Sequence, residues 1–417
     1  LDPLALAIFI TVYILIVSQR WTGLPVWTSM MAGAVGMVFL GVLTPKEAVE
    51  AVDFNVIVFL FGMFSIVAAM EASGLLEYLA LRMLARVRTY EQALGVALFG
   101  GAVLSAFLVN DTIALLWTPL LIRLARRAGA DPIPLLIGLA FGVTLGSVPT
   151  PIGNPQNLLV ALSSGMSRPF ITFASYLIIP TAASLLVTFY ILKTYFARGK
   201  GTPWLPFVDR DPWYAITDPR LARLSILALS FVVIGALLME VLHLLGIASS
   251  MTIAEVALGG GVLVHLLSSR RRELLARVDW SVLVFFAGMF VVMRGAWEGV
   301  FRDILSLPYF SPHSLGGIFL ASLGFSQLLS NVPFVALYSY NLRSQGVDGG
   351  TKEWLALASG STVAGNLTIL AAASNVIIQE AAESRGAKAF TFWEFLRVGV
   401  PVSAASALIY YTYLALV

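Results

Sequence analysis

Four short polar runs interrupt otherwise apolar stretches of this sequence, and they hold the residue types that could do chemistry. The first is Asn110-Asp111-Thr112, and the second is Thr150-Pro151-Ile152-Gly153-Asn154-Pro155-Gln156-Asn157. The third is Ser330-Asn331-Val332-Pro333, and the fourth is Gly365-Asn366-Leu367-Thr368, followed by Ser374-Asn375. An amide offers both a donor and an acceptor, so asparagine can ligate a cation or hold an oxyanion or a neutral hydroxide. Asp111 is the sharpest residue: it is the only acid between Gln92 and Ala130, and no base lies nearer than Arg123. An ionisable group in an apolar setting is costly and points to cation or proton coupling. Its plainer role is to cap a helix N-terminus, and the two roles can coexist. A sodium ion at Asn110, Asp111 and Asn157 is one form the coupling site could take. Asn110, Asn157, Asn331 and Asn375 are expected at the site, although buried asparagines also satisfy broken backbone. Thr112, Thr150, Gly153, Asn154, Gln156, Ser330, Gly365, Asn366, Thr368 and Ser374 form the rest of the expected wall.

The elements that position these residues follow from composition. Of 417 residues, 59% are hydrophobic and 12% charged, and mean hydropathy is +0.88. Soluble domains are about 45–50% apolar and about 25% charged. A soluble enzyme, a disordered chain and a nucleic-acid-binding domain are therefore disfavoured. The net charge of +3 fits basic residues held in cytoplasmic loops. Cysteine is absent and there are three histidines, none of them in the polar runs. No nucleophile–base pair and no Walker motif is evident, so neither an enzyme nor a bound cofactor is expected; the coupling ion would be H⁺ or Na⁺.

Apolar runs long enough, or nearly so, to span a bilayer lie at about 3–19, 24–43, 54–70, 171–193, 222–245, 250–268, 280–297 and 392–416. The polar runs fall inside four further apolar regions. Two read as re-entrant hairpins, 93–123 and 315–342, and two as broken helices, 134–165 and 354–382. Proline removes a backbone donor, and non-helical backbone is tolerated in a membrane only where protein or a wet cavity receives it. The alternative, an ordinary loop outside the membrane, leaves flanks too short to span alone.

An internal repeat organises these pieces. Residues 52–64 match residues 278–290, with eight of thirteen pairs identical at an offset of 226. The offset falls to 221 where Asn110 meets Asn331, and to 218 where Asn157 meets Asn375. The halves are residues 1–195 and 220–417, joined by a cytoplasmic linker at 196–219. Each half reads as three spans, a hairpin, a broken span and a last span. An odd number of crossings inverts the second half. The expected fold is an all-α polytopic membrane protein with two inverted repeats and about ten crossings, an architecture common to secondary transporters.

Charge placement supports the same topology. With the N-terminus outside, 20 of the 26 basic residues face the cytoplasm. Arg168, Arg294, Arg343 and Lys352 are among the six left outside. Both termini are then outside, in a multi-pass protein of the cell (inner) membrane. The chain begins at Leu1, which suggests a preceding segment.

These motifs resemble the arsenite permease and NhaD-type sodium–proton antiporter group. That group belongs to the ion transporter superfamily, with the divalent anion–sodium symporters and the citrate transporters. The resemblance rests on Asn110-Asp111-Thr112 with Thr118-Pro119, on residues 150–157, and on Ser330-Asn331-Val332-Pro333 and Gly365-Asn366-Leu367-Thr368. It covers essentially the whole chain. It implies a homodimer, a scaffold of early spans, and a transport unit that carries both hairpins and both broken helices like an elevator. It also implies a separate ATPase subunit if the chain is an arsenite pump. The symporters carry Ser-Asn-Thr at both tips, whereas these tips read Asn110-Asp111-Thr112 and Ser330-Asn331-Val332. The expected activity is gradient-coupled export of an arsenite- or antimonite-type metalloid or an inorganic anion. Sodium–proton exchange and sodium-coupled organic-anion transport are the alternatives, and a passive channel is the rival from another class. Lipid is the expected surrounding, with no nucleic-acid partner.

Other conspicuous residues read as structural. Asp53 and Asp279 precede long helices and should cap them. Glu240, His243, Glu255, Arg294 and Glu298 should be interfacial or paired, and Arg126-Arg127 and Arg270-Arg271-Arg272 should anchor topology. Gly259-Gly260-Gly261 suits close helix packing. No Lys or Arg falls within the expected core, so a highly charged anion is disfavoured while a neutral or singly charged one is comfortable at half-helix N-termini.

Overall fold

The computed structural model describes residues 2–196, 211–246, 251–347 and 352–417. Most of the expected linker, 197–210 with Arg198, Lys200 and Arg210, lies outside the described residues. The regular structure of the described residues is all helical, with no strand among them.

The first half holds α1 (Pro3–Val17), α2 (Val26–Phe39) and α3 (Phe54–Ala72). A hairpin follows, its inbound arm running from Tyr90 to Ser105 through a π-helical turn at Val96–Gly100. The return arm is α4 (Asn110–Arg127). Next come α5 (Ile133–Gly146), α6 (Pro155–Ser163) and α7 (Pro169–Tyr195). The second half repeats the order with α8 (Pro219–Leu244), α9 (Ile253–Leu267), α10 (Trp280–Ala296) and a hairpin of α11 (Leu315–Leu329) and α12 (Asn331–Ser344). It ends in α13 (Lys352–Ala364), α14 (Ala373–Glu383) and α15 (Phe392–Leu416).

Five helical stretches among the described residues are long and apolar enough to cross a membrane: α3, α7, α8, the run Trp280–Leu305 and α15. Helices α1, α2 and α9 have 15, 14 and 15 residues, short of the roughly 20 a full crossing takes. Hydropathy alone does not reveal the short helices Pro45–Ala51, Leu75–Leu84 and Arg271–Arg277, because charged residues punctuate them.

The glycine run acts as a packing surface. Helices α3 and α9 cross so closely that a Cβ at Gly62 would stand 2.3 Å from the Ala257 carbonyl oxygen. Gly261 meets Gly62 from the other side, where a Cβ would stand 2.8 Å from its Cα. Asp53 accepts from the Asn55 amide at 3.0 Å and Asp279 from the Val282 amide at 3.2 Å, so both cap their helices. Glu255 closes a capping box with Thr252, and Arg294 pairs with Glu298 at 3.1 Å. Glu240 is buried, and its partner is a helix end rather than a base. It accepts from the first amides of α7, Phe170 at 2.6 Å and Ile171 at 2.8 Å, which ties α8 to α7.

Candidate functional site

The two hairpin tips and the two helix breaks are joined in a repeated pattern. In the first half, Ser105 Oγ lies 2.7 Å from the Val143 carbonyl of α5 and 2.6 Å from Asn110 Oδ1. Thr150, in the break, donates to the Ala106 carbonyl of the tip. Gly153 sits where only a glycine fits: a Cβ there would meet the Ser147 carbonyl at 2.5 Å and the Ser105 carbonyl at 2.9 Å. In the second half, Ser330 donates to the Ala371 carbonyl at 3.2 Å. Gln327 donates to the Ala364 carbonyl at 3.0 Å and accepts from Thr368 at 2.7 Å. Each tip is thus docked on the break of its own repeat.

Both breaks are stitched by the same device. Asn157 Nδ2 lies 3.0 Å from the carbonyls of Ser147, Val148 and Thr150. Asn375 Nδ2 donates to the Gly365 carbonyl at 2.7 Å and to that of Thr368 at 3.3 Å. The amide at the start of the second half-helix therefore gathers the carbonyls that the first half-helix leaves unpaired. Asn154 caps α6 by accepting from the Asn157 amide at 2.8 Å, and it donates to Ser147 Oγ at 2.7 Å.

The two repeats meet at Thr362 of α13. Its hydroxyl lies 3.5 Å from Asn154 Nδ2, 3.4 Å from Gln156 Nε2 and 3.5 Å from Asn157 Oδ1. Asn331 reaches over the other break, where a Cβ at Gly365 would stand 3.0 Å from Asn331 Nδ2. Asn154, Gln156 and Asn157 of the first break are thus brought to the second repeat through Thr362, and Asn331 is brought to Gly365 of its own break. Asp111 and Thr112 lie half-buried in the first turn of α4. The cap position of α4 is Val109, so Asp111 does not cap the helix. It also makes no hydrogen bond or ion pair to any described residue.

The second break differs from the first in what it leaves unpaired. Asn331 Oδ1, Ser374 Oγ, Asn375 Oδ1 and both amide atoms of Asn366 are buried without a protein partner. Asn154, Gln156 and Asn157 of the first break are paired. Ser330 is the only described non-glycine residue with positive φ, at 67°, so the second tip holds strained backbone. Among the described residues no Lys or Arg is buried, and Glu240 is the only buried acid.

Ser105, Ser147, Gln327 and Thr362 escape the sequence reading. Two of them carry a signal. Ser105 matches Ser326 at the 221 offset and Thr362 matches Thr144 at the 218 offset, so each is a hydroxyl repeated inside an apolar helix.

Two hairpins and two broken helices docked around a wall of amides and hydroxyls have the architecture of a membrane transporter. The chain belongs to the citrate transporter family, whose profile matches residues 13–359. The inner membrane protein YbiR of Escherichia coli is 30% identical over 310 residues, which cover 73% of this chain and 75% of that protein. The uncharacterized transporter Rv2684 of Mycobacterium tuberculosis is 29% identical over 427 residues, covering 97% and 96%. The silicon efflux transporter LSI3 of rice, Oryza sativa, is 26% identical over 436 residues, covering 89% and 88%. The fold is shared with MtrF of Neisseria gonorrhoeae, described within a class of antimetabolite efflux pumps. There the TM-score is 0.55 at 13% identity, covering 99% of this chain and 94% of that one. It is also shared with the YdaH transporter of Alcanivorax borkumensis, at TM-score 0.51 and 16% identity, covering 86% and 84%.

Proposed function

We propose that this transporter exports a small, neutral or singly charged oxyacid of the metalloid type, driven by an H⁺ or Na⁺ gradient coupled through Asp111. The observation that carries this reading is the composition of the wall. Around the breaks stand amides and hydroxyls with unpaired buried atoms and one unpartnered carboxylate, and no buried cation. A neutral polyhydroxy acid can donate to the oxygens of Asn331, Asn366 and Asn375 and accept from Asn366 Nδ2. A citrate trianion would need cationic partners, since burying an uncompensated charge is costly. The likeness to a silicon efflux transporter supports a hydroxide-rich substrate.

The docked tips and breaks would move as one transport unit against the early spans, as an elevator in a homodimer. The protein would sit in the cell membrane with both termini outside. The ion pairs fit this arrangement, because Arg123–Glu77, Lys193–Glu91 and Arg277–Glu71 each join groups that the topology puts on the cytoplasmic side.

Proteoliposome flux tests the reading. Arsenite or silicic acid should accumulate against its gradient under an imposed pH or sodium gradient, and citrate should not. Coupled citrate flux without metalloid flux would overturn the proposal. It would favour sodium-coupled organic-anion transport, the second reading, which the family match supports.

A further inference from the structure

A cavity of about 590 Å³, to whose lining the tips and breaks contribute no residue, is bounded by Thr217, Asp218, Pro219, Arg220, Arg223 and Arg270. Its charges do not cancel. Arg270 is neutralised by a two-pronged contact to Glu273, at 2.8 and 2.7 Å, and it also holds Asp218 at 3.5 Å. Arg220 and Arg223 are exposed, three residues apart on the first turns of α8, and neither has an acidic partner among the described residues. With Asp218 and Glu273 set against the three guanidiniums, the cavity keeps a surplus of one positive charge, and the guanidiniums left without an acidic partner are those of Arg220 and Arg223.

Its depth is marked by aromatics. Trp213 and Tyr214, in the turn just before α8, are more than half exposed. Trp213 packs on Tyr78 with ring centroids 4.8 Å apart. Exposed Trp and Tyr at the end of a span belong at headgroup level. Directly along α8 from the arginines runs an exposed apolar track of Ile226, Leu227, Phe231 and Ile234.

We infer that Arg220, Arg223 and the adjoining cavity bind the phosphate of an anionic phospholipid, with its acyl chain laid along the exposed face of α8. The shared chemistry is a phosphate held by paired guanidiniums. The continuous apolar track selects a lipid over free phosphate, which has nothing to lay on it. This site is independent of the transported substrate.

The test uses the purified full-length chain in detergent, followed by intrinsic fluorescence during heating. Short-chain phosphatidylglycerol, phosphatidylcholine of the same chain length and inorganic phosphate are titrated separately. Phosphatidylglycerol should raise the midpoint of unfolding more than phosphatidylcholine, and inorganic phosphate should do little. Each arginine near a membrane surface contributes about a factor of five in affinity for anionic lipid, so Arg220→Gln with Arg223→Gln should weaken the phosphatidylglycerol effect roughly thirtyfold. The control, Arg271→Gln with Arg272→Gln, removes as much charge from outside the cavity and should leave the effect intact. If the double variant fails to fold, Arg223→Gln alone carries the test with about a fivefold loss. Equal response to both lipids, an unaltered response in the variants, or an inorganic phosphate effect as large as that of phosphatidylglycerol would each overturn the assignment.

Discussion

Arg343, near the end of the second hairpin's return arm, donates from Nε to the Ser163 carbonyl at 2.9 Å, crossing from one repeat to the other. The first hairpin returns the contact. Arg126 Nη2 donates to the Arg385 carbonyl at 3.0 Å, just past the end of α14. Helix α12 lies along α6 and α4 lies along α14, so each return arm is strapped to the broken helix of the opposite repeat. A guanidinium at a helix C-terminus satisfies orphan carbonyls and meets the negative end of the dipole.

The straps should hold the four elements together as one body. A hydrogen bond from a charged group is worth about 1.5–3 kcal/mol, and solvent exposure takes these two toward the low end. Arg343→Ala and Arg126→Ala should each lower the unfolding midpoint by a few degrees while substrate affinity stays within about twofold, read by thermal unfolding and by binding on the same samples. Loss of affinity without loss of stability would mean that the arginines act at the site and not as straps.

The asparagines of the second break divide into two kinds. Asn375 spends its donor on the Gly365 and Thr368 carbonyls. Asn366 has both amide atoms buried and unpaired. Removing a donor that stitches the break strands carbonyls at about 1–3 kcal/mol, whereas removing an already unpaired amide relieves a desolvation cost. Asn375→Ala should therefore lose both stability and affinity. Asn366→Ala should keep or gain stability while binding weakens roughly tenfold to hundredfold. Paired melting curves and binding isotherms separate the two. Equal destabilisation by both would show that Asn366 is structural as well.

Much of this arrangement is legible in the amino-acid order, because repeats and breaks leave strong compositional marks. Clusters of proline, glycine and asparagine inside apolar runs mark the helix interruptions, whereas the single prolines Pro119, Pro180 and Pro401 lie within helices, and the 218 offset alone pairs Asn157 with Asn375. The direction of their amides is not legible there. Each of these asparagines spends its Nδ2 on carbonyls ten and seven residues behind it, a geometry set by how the half-helices overlap. Thr362 stays hidden because a threonine within a helix ordinarily bonds its own backbone, as this one does to Ala358 at 2.7 Å. Its second role needs α13 to pass beside α6, which is tertiary information. Val109 takes the cap position expected of Asp111, because the helix begins ahead of the acid.

The chain lacks cysteine, so introduced cysteines report sidedness without background. Arg271 and Lys352 belong to opposite faces in the inverted arrangement. Arg271→Cys should react with a membrane-impermeant maleimide only from the cytoplasm, and Lys352→Cys only from outside. Labelling of both from one side would reject the inversion, since the crossings between them would then be even in number.

Asp111 gives the sharpest test of coupling. It is the only acid at the two tips and two breaks, and its repeat counterpart is Val332, so the site is symmetric in asparagine and asymmetric in charge. It lies half-buried in the first turn of α4. No described residue pairs with it, so it is available to a cation or a proton. Asp111→Asn keeps the size and much of the hydrogen bonding but removes the charge. With coupling lost, accumulation under an imposed gradient should fall at least tenfold, a change of about 1.4 kcal/mol in the coupled step. The unfolding midpoint should stay within a few degrees, because no partner is stranded. Downhill exchange of substrate should persist, which separates loss of coupling from loss of the site. Full gradient-driven accumulation by a well-folded Asp111→Asn protein would remove Asp111 from the coupling mechanism. Loss of downhill exchange as well would place its carboxylate on the substrate instead of on the driving ion.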